Sequence, residues 1–163
     1  MATLTSVPAS LQQPALRKLG IAWVLLCVSL ALHVVDEAAN GFLYIYNPTV
    51  IALREKLGAW PMPTFGFTEW LVGLIVAVIL LLAASPFVFR GARWIRPIFY
   101  ILVAIMFFNG IGHTLGTIFG RTVSTVHFSR PMPGFISSPF LFAASIYAFI
   151  QLRRTRVQSD NNP

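Results

Sequence analysis

Residues 19–40 read LGIAWVLLCVSLALHVVDEAAN, and this stretch decides the fold. From Leu19 to Val35 only Ser29 and His33 interrupt an apolar run, which is entered through Arg17 and Lys18. Crossing a membrane takes about 20 residues at about 1.5 Å each. Lipid offers backbone N–H and C=O groups no partners, so a run of this kind has to be a helix. The chain contains three more. The second is Trp70 to Phe89, ended by Arg90, Arg93 and Arg96. The third is Pro97 to Phe119, closed by Gly120 and Arg121, and the fourth is Phe135 to Leu152, closed by Arg153, Arg154 and Arg156. Strict alternation of apolar and polar residues is absent, which argues against a small β-barrel. The expectation is an all-α, four-helix transmembrane bundle.

Composition agrees. Of the 163 residues, 56% are hydrophobic and 10% charged, where a soluble domain carries roughly 25% charged residues. The net charge is +7, but the basic residues sit at the ends of apolar runs rather than on a soluble recognition fold. Nucleic acid is therefore not an expected partner; the lipid bilayer is. Cys27 is the one cysteine, so no internal disulfide forms. Leu25-Leu26-Cys27 hints at a lipoprotein signal, yet the apolar run continues past it. The run is long for a signal peptide and reads as an uncleaved first span.

The chain divides into a flexible N-terminal tail (1–16), a four-span membrane domain (17–156) and a polar C-terminal tail (157–163). Eight Lys and Arg residues flank the spans on one side (Arg17, Lys18, Arg90, Arg93, Arg96, Arg153, Arg154, Arg156) and four on the other (Arg54, Lys56, Arg121, Arg130). The positive-inside rule places both termini in the cytoplasm of a multi-pass cell-membrane protein. The outer connection from Asn40 to Glu69 is aromatic. Asn47-Pro48 suits a helix start, with Val50 to Leu57 as a short interfacial helix.

Ionisable residues are concentrated at one end of the spans. Of the five carboxylates, Asp36, Glu37 and Glu69 lie at outer span ends, and two of the three histidines, His33 and His113, lie inside runs. His33, Asp36, Glu37 and Asn40 are spaced i, i+3, i+4 and i+7, which puts them on one helix face. Asn109 and His113 are spaced i, i+4 on the third span, and Gly112, Gly116 and Gly120 share that face. This small-residue stripe suits close approach of another helix, expected to be the His33 side of the first. Counting rises puts His33 about 21 Å from the cytoplasmic edge and His113 about 24 Å, in a core of about 30 Å. Two polar stripes at one depth point to a shared site. A lone intramembrane His or Asn is usually interhelical glue worth about 1 kcal/mol. A carboxylate there costs roughly 2.5–3.5 kcal/mol and marks function. Asp36 and Glu69 can also snorkel to the interface. His127 lies in a connection and is expected to be solvated.

These residues resemble the HXXEE family of small membrane proteins, named for a histidine followed at three and four positions by carboxylates. Here the motif stands as His33-Val34-Val35-Asp36-Glu37, with Asp in place of the first Glu. The resemblance extends to Asn109 and His113 on a later span, then Arg130 and Pro133-Gly134, without the tyrosine usual before Pro-Gly. It covers about residues 20 to 150. It implies an enzyme of unassigned reaction with its polar residues inside the membrane.

Several functions fit the pattern. One is a membrane-embedded, metal-dependent hydrolase or oxidoreductase acting on a lipid-like or apolar small molecule. His33, Glu37 and His113 would bind zinc, iron or manganese, with Asp36 or Glu69 as a further ligand or general base. Asn40 and Asn109 would support the ligands, and Arg121 and Arg130 would flank the mouth and can grip an anionic headgroup. Another is a metal-free acid/base isomerase using His33, Glu37 and His113. The third is non-enzymatic: a small transporter, proton relay or accessory subunit, for which assembly into a homo-oligomer compensates for few spans. Ser137 and Ser138 open the fourth run and read as helix caps. No phosphate loop or dinucleotide fingerprint is present.

Overall fold

The computed structural model describes residues 9–160, and side chains for 13–155. Residues 1–8 and 161–163, expected as parts of the two tails, lie outside the described residues. The helices are α1 (Ala9–Ala39), α2 (Leu43–Leu57), α3 (Phe67–Ala83), α4 (Ser85–Phe89), α5 (Ile95–Phe119) and α6 (Ser138–Asp160). Between α5 and α6 lies a hairpin of β1 (Arg121–Val123) and β2 (Val126–His127), paired antiparallel with Arg121 opposite His127. Helix accounts for about 75% of the described residues, so the all-α reading holds, with this small ribbon as an addition. Three helical stretches are long and apolar enough to cross a membrane: Gln13–Ala39, Phe67–Phe89 and Ile95–Phe119.

Helix α6 lies between α1 and α5, and α1 also carries α3 and α4. The core is built at these contacts from Trp23, Leu26, Cys27, Phe99, Leu141 and Leu152, all buried. Trp23 packs edge-on against Phe99, and its Nε1 donates to the Leu81 carbonyl at 2.9 Å. The break between α3 and α4 falls at Ala84, just before Pro86, which has no N–H to continue the ladder. Phe89 of α4 rests on Gly20 of α1, where an added Cβ would come within 2.3 Å of the ring. Polar groups inside α6 are satisfied locally: Ser145 Oγ donates to the Leu141 carbonyl and Thr155 Oγ1 to the Gln151 carbonyl. Around α3 the apolar surface points outward, since only 6% of its most apolar window is buried. Such a surface is stable in hydrocarbon and a liability in water.

Three expectations change. The first helix begins at Ala9 rather than after residue 16, and Leu16 packs on the turn at Gly91. Helix α2 starts at Leu43, so Pro48 is interior and Asn47 is no cap. Instead, Asn47 Nδ2 donates to the Phe65 carbonyl at 2.9 Å and its Oδ1 accepts from Phe65 N at 3.1 Å. This two-bond clamp folds the outer connection back on itself and outweighs the local start signal. In the same connection Tyr46 donates to the Pro63 carbonyl, and burial pushes its phenol pKa up, with Arg54 pulling it down. Finally, the glycine stripe of α5 does not receive α1. Gly116 meets Met132 and Phe128, Gly120 meets the Arg130 side chain, and Gly112 faces open space. Helix α6 packs instead at Gly110, against Phe142 and Ser138.

Candidate functional site

Helical spacing on α1 brings His33 and Glu37 one above the other, and α5 brings His113 to the same level. All three are buried, at 0%, 4% and 2% exposure. Glu37 Oε1 stands 3.0 Å from His113 Nε2 and 3.4 Å from His33 Nε2. The imidazoles meet edge-on with centroids 4.6 Å apart. One ligand atom from each residue lies within 4.8 Å of the other two, so the group can hold a metal ion. Four-coordinate zinc with ligands at about 2.0–2.2 Å separates neighbouring donors by roughly 3.3–3.5 Å. The Glu37–imidazole distances of 3.4 and 3.0 Å are close to that, and the group as a whole spans up to 4.8 Å. His33 Nε2 is buried and has no hydrogen-bond partner, its approach to Glu37 being a poor hydrogen bond. Such an atom suits a coordinating lone pair.

The other nitrogen of His33 is held. Its Nδ1 lies 2.8 Å from Ser137 Oγ. Ser137 Oγ in turn donates to Asp36 Oδ2 at 2.8 Å, and Ser137 N donates to the same oxygen at 2.9 Å. Since the one hydroxyl proton goes to the carboxylate, Ser137 accepts from His33 Nδ1–H. In a neutral ring held this way, Nε2 is the nitrogen that carries the lone pair, on the Glu37 side. Asn40 Nδ2 completes the shell by donating to Asp36 Oδ1 at 2.8 Å. The arrangement is the carboxylate-supported histidine common beside metals, here extended through a serine.

Ser137 was read from sequence as a cap alone. The available signal was its position, at the outer start of the fourth run and level with Asp36. Gly134, known only from the Pro-Gly step, also belongs to the site. Its φ is +87°, and a Cβ there would sit 2.7 Å from His113 Cε1 and 2.8 Å from His33 Cε1. Only glycine lets the backbone back both rings at once. Phe42 covers His113 from the turn after α1, with ring centroids 5.5 Å apart.

The remaining expected site residues are dispersed. Asn109 lines an open cleft beside His113, with Arg121 farther out. Arg130 lies over Gly120, the C-terminal end of α5, its Nε 3.2 Å from where a Cβ would be. A guanidinium there complements the exposed carbonyls of the helix end. Glu69 stands outside the group that can hold a metal: it is exposed, and its Oε2 accepts from Gly66 N at 3.0 Å, tying down the start of α3. His127 is exposed and bonds the Ser124 carbonyl in the hairpin turn, away from this cluster. No protein-family model, curated protein or solved structure matches the chain.

Proposed function

We propose that this chain is a four-span membrane protein of the HXXEE type whose His33–Glu37–His113 group binds a divalent metal and acts on a lipid-like or apolar substrate. The observation that carries the reading is the convergence of three buried ligand atoms with the far nitrogen of His33 tied to Ser137 and Asp36. Three protein ligands leave a position open, the pattern of catalytic rather than structural sites. Two imidazoles and a carboxylate suit zinc, iron or manganese. When bound, such an ion supplies Lewis-acid polarisation of a substrate oxygen. Asp36 and Ser137 fix the orientation of His33, Glu37 places its carboxyl between the imidazoles, and Phe42 and Met132 line the approach to His113. Helix α6 is the fourth span in this reading, since it packs along both α1 and α5, and both termini face the cytoplasm.

Stability gives these residues no reason to be there. Replacing a buried ionic network by apolar residues of like volume is often neutral or stabilising by about 1–4 kcal/mol. Of the residues that carry the HXXEE resemblance, His33, Glu37, His113 and Gly134 lie together, while Asn109 and Arg130 stand apart from them.

A second reading has its own observation. The chain Asp36–Ser137–His33 connects a partly exposed carboxylate to the buried group, which suits metal-free proton transfer in an isomerase or relay. Comparing lipid extracts of cells expressing the wild type and His113→Ala tests the enzymatic claim. A lipid species that changes only with the intact chain supports it. Identical extracts over the full range of apolar metabolites contradict it.

A further inference from the structure

Beside His113, which reaches α1, the face of α5 at Asn109 and Gly112 does not close against another helix. Asn109, Gly112, His113 and Gly116 recur at i, i+3, i+4 and i+7, and they floor an open cleft of about 470 Å³. Its opposite wall is apolar, formed by Phe42 and Met132, and Phe119 of α5 lines it near Arg121. The volume falls within the range of about 300–1,000 Å³ usual for small-molecule sites. Gly112 opens onto this space: nothing lies within 4 Å of where its Cβ would be.

The two ends of the cleft differ. At the outer end β1 brings in Arg121 and Thr122. Among the described residues no carboxylate pairs with Arg121, whose guanidinium is exposed. At the inner end stands Asn109, about 15 Å away if the ten residues from Asn109 to Phe119 are counted along the helix. An unpaired cation at the mouth of an apolar trough is a recognition element for an anion joined to an apolar chain. A second groove provides contrast. Tyr100, Val103, Phe107, Ser145 and Phe149 line about 400 Å³ between α5 and α6, with no charged group. That groove offers no charged group to select a headgroup, whereas the α5 cleft offers Arg121.

We infer that the cleft between α5, Phe42 and the β1 strand is the substrate channel, and that it takes a single-chain amphiphile with a carboxylate or phosphate headgroup. This rests on the proposed function, and it names the substrate class for that site. The headgroup pairs with Arg121, and the chain runs inward over Gly112 past His113. Counting from His113 to the end of α5, the part of the chain that meets His113 lies roughly 10 Å inward of the headgroup. The site therefore addresses the chain rather than the headgroup.

The test uses the full-length protein in a neutral detergent and a palmitate analogue with a photoactivatable diazirine at mid-chain. Crosslinked residues are mapped by mass spectrometry, and metal content is measured on the same samples. The wild type should be labelled on the α5 face between Asn109 and Gly116, above the level in the Tyr100–Phe149 groove. Arg121→Gln should weaken labelling about tenfold, the usual worth of a charge-assisted bond, with Arg121→Lys between the two. Gly112→Phe should abolish cleft labelling and leave metal content unchanged. A lysophosphatidate analogue labelling in place of palmitate assigns the headgroup as phosphate, and palmitate labelling alone assigns carboxylate. Equal labelling of cleft and groove, equal labelling by the uncharged alcohol analogue, or full competition by inorganic phosphate overturns the inference. Cleft labelling without metal would sink the metal reading alone, and metal without cleft labelling would sink this inference alone.

Discussion

Ser137→Ala removes one oxygen and reaches three partners. The Oγ atom contacts His33 Nδ1 at 2.8 Å, Asp36 Oδ2 at 2.8 Å and the Gly134 carbonyl at 3.1 Å. His33 is fully buried, so its Nδ1–H is left without partner or water, at about 1–3 kcal/mol. Asp36 keeps Ser137 N–H and Asn40 Nδ2 and is partly exposed, so its loss adds about 1 kcal/mol or less. The expected destabilisation is about 1–4 kcal/mol, measured by reversible unfolding in mixed micelles. Metal affinity has a separate expectation. With the hydroxyl gone, His33 is free to turn and to change tautomer, and loss of such a support typically weakens a metal about 10–100-fold. Titration of chelator-stripped protein with zinc reads this directly. If stability falls while zinc affinity is unchanged, Ser137 is a packing and capping residue and the relay from Asp36 to His33 plays no part at the site.

Gly134→Ala should be at least as damaging. A positive φ costs an alanine about 1–2 kcal/mol, and its Cβ would push both imidazoles off position. Thermal unfolding and metal content should both drop, and a variant that keeps full metal would refute the cradle. Glu69→Ala should cost up to about 1 kcal/mol through the start of α3, with metal content unchanged. Loss of metal in that variant would return Glu69 to the site. A cysteine at Ala59 should react with an impermeant maleimide in intact cells, against a clean background because Cys27 is buried. Labelling only after lysis would invert the orientation.

The site was legible where it depended on helix periodicity and depth. His33 and Glu37 share a face by spacing alone, and equal rise counts put His113 at their level, where it stands 3.0 Å from Glu37. What periodicity does not specify is the identity of a neighbour. The α5 stripe marked a face, but the face meets the loop through Met132 and an open cleft, while α6 separates α5 from most of α1. Ser137 and Gly134 were obscure because they lie in a connection, whose path depends on tertiary contacts such as Met132 N to Thr117 Oγ1. Glu69 lies on the expected side but satisfies the nearest backbone donor. Asn47 went the other way: a local cap signal lost to a clamp on Phe65, eighteen residues along the chain.

The central claim is that His33, Glu37 and His113 act together as a metal site. Elemental analysis of the purified wild type beside His33→Ala, Glu37→Ala and His113→Ala tests it most directly, with helical content followed by circular dichroism. The account predicts about one zinc, iron or manganese per chain in the wild type, lost in each variant while the helices persist. A metal-free wild type that also fails to take up added zinc, iron or manganese, or full metal content in all three variants, would contradict it.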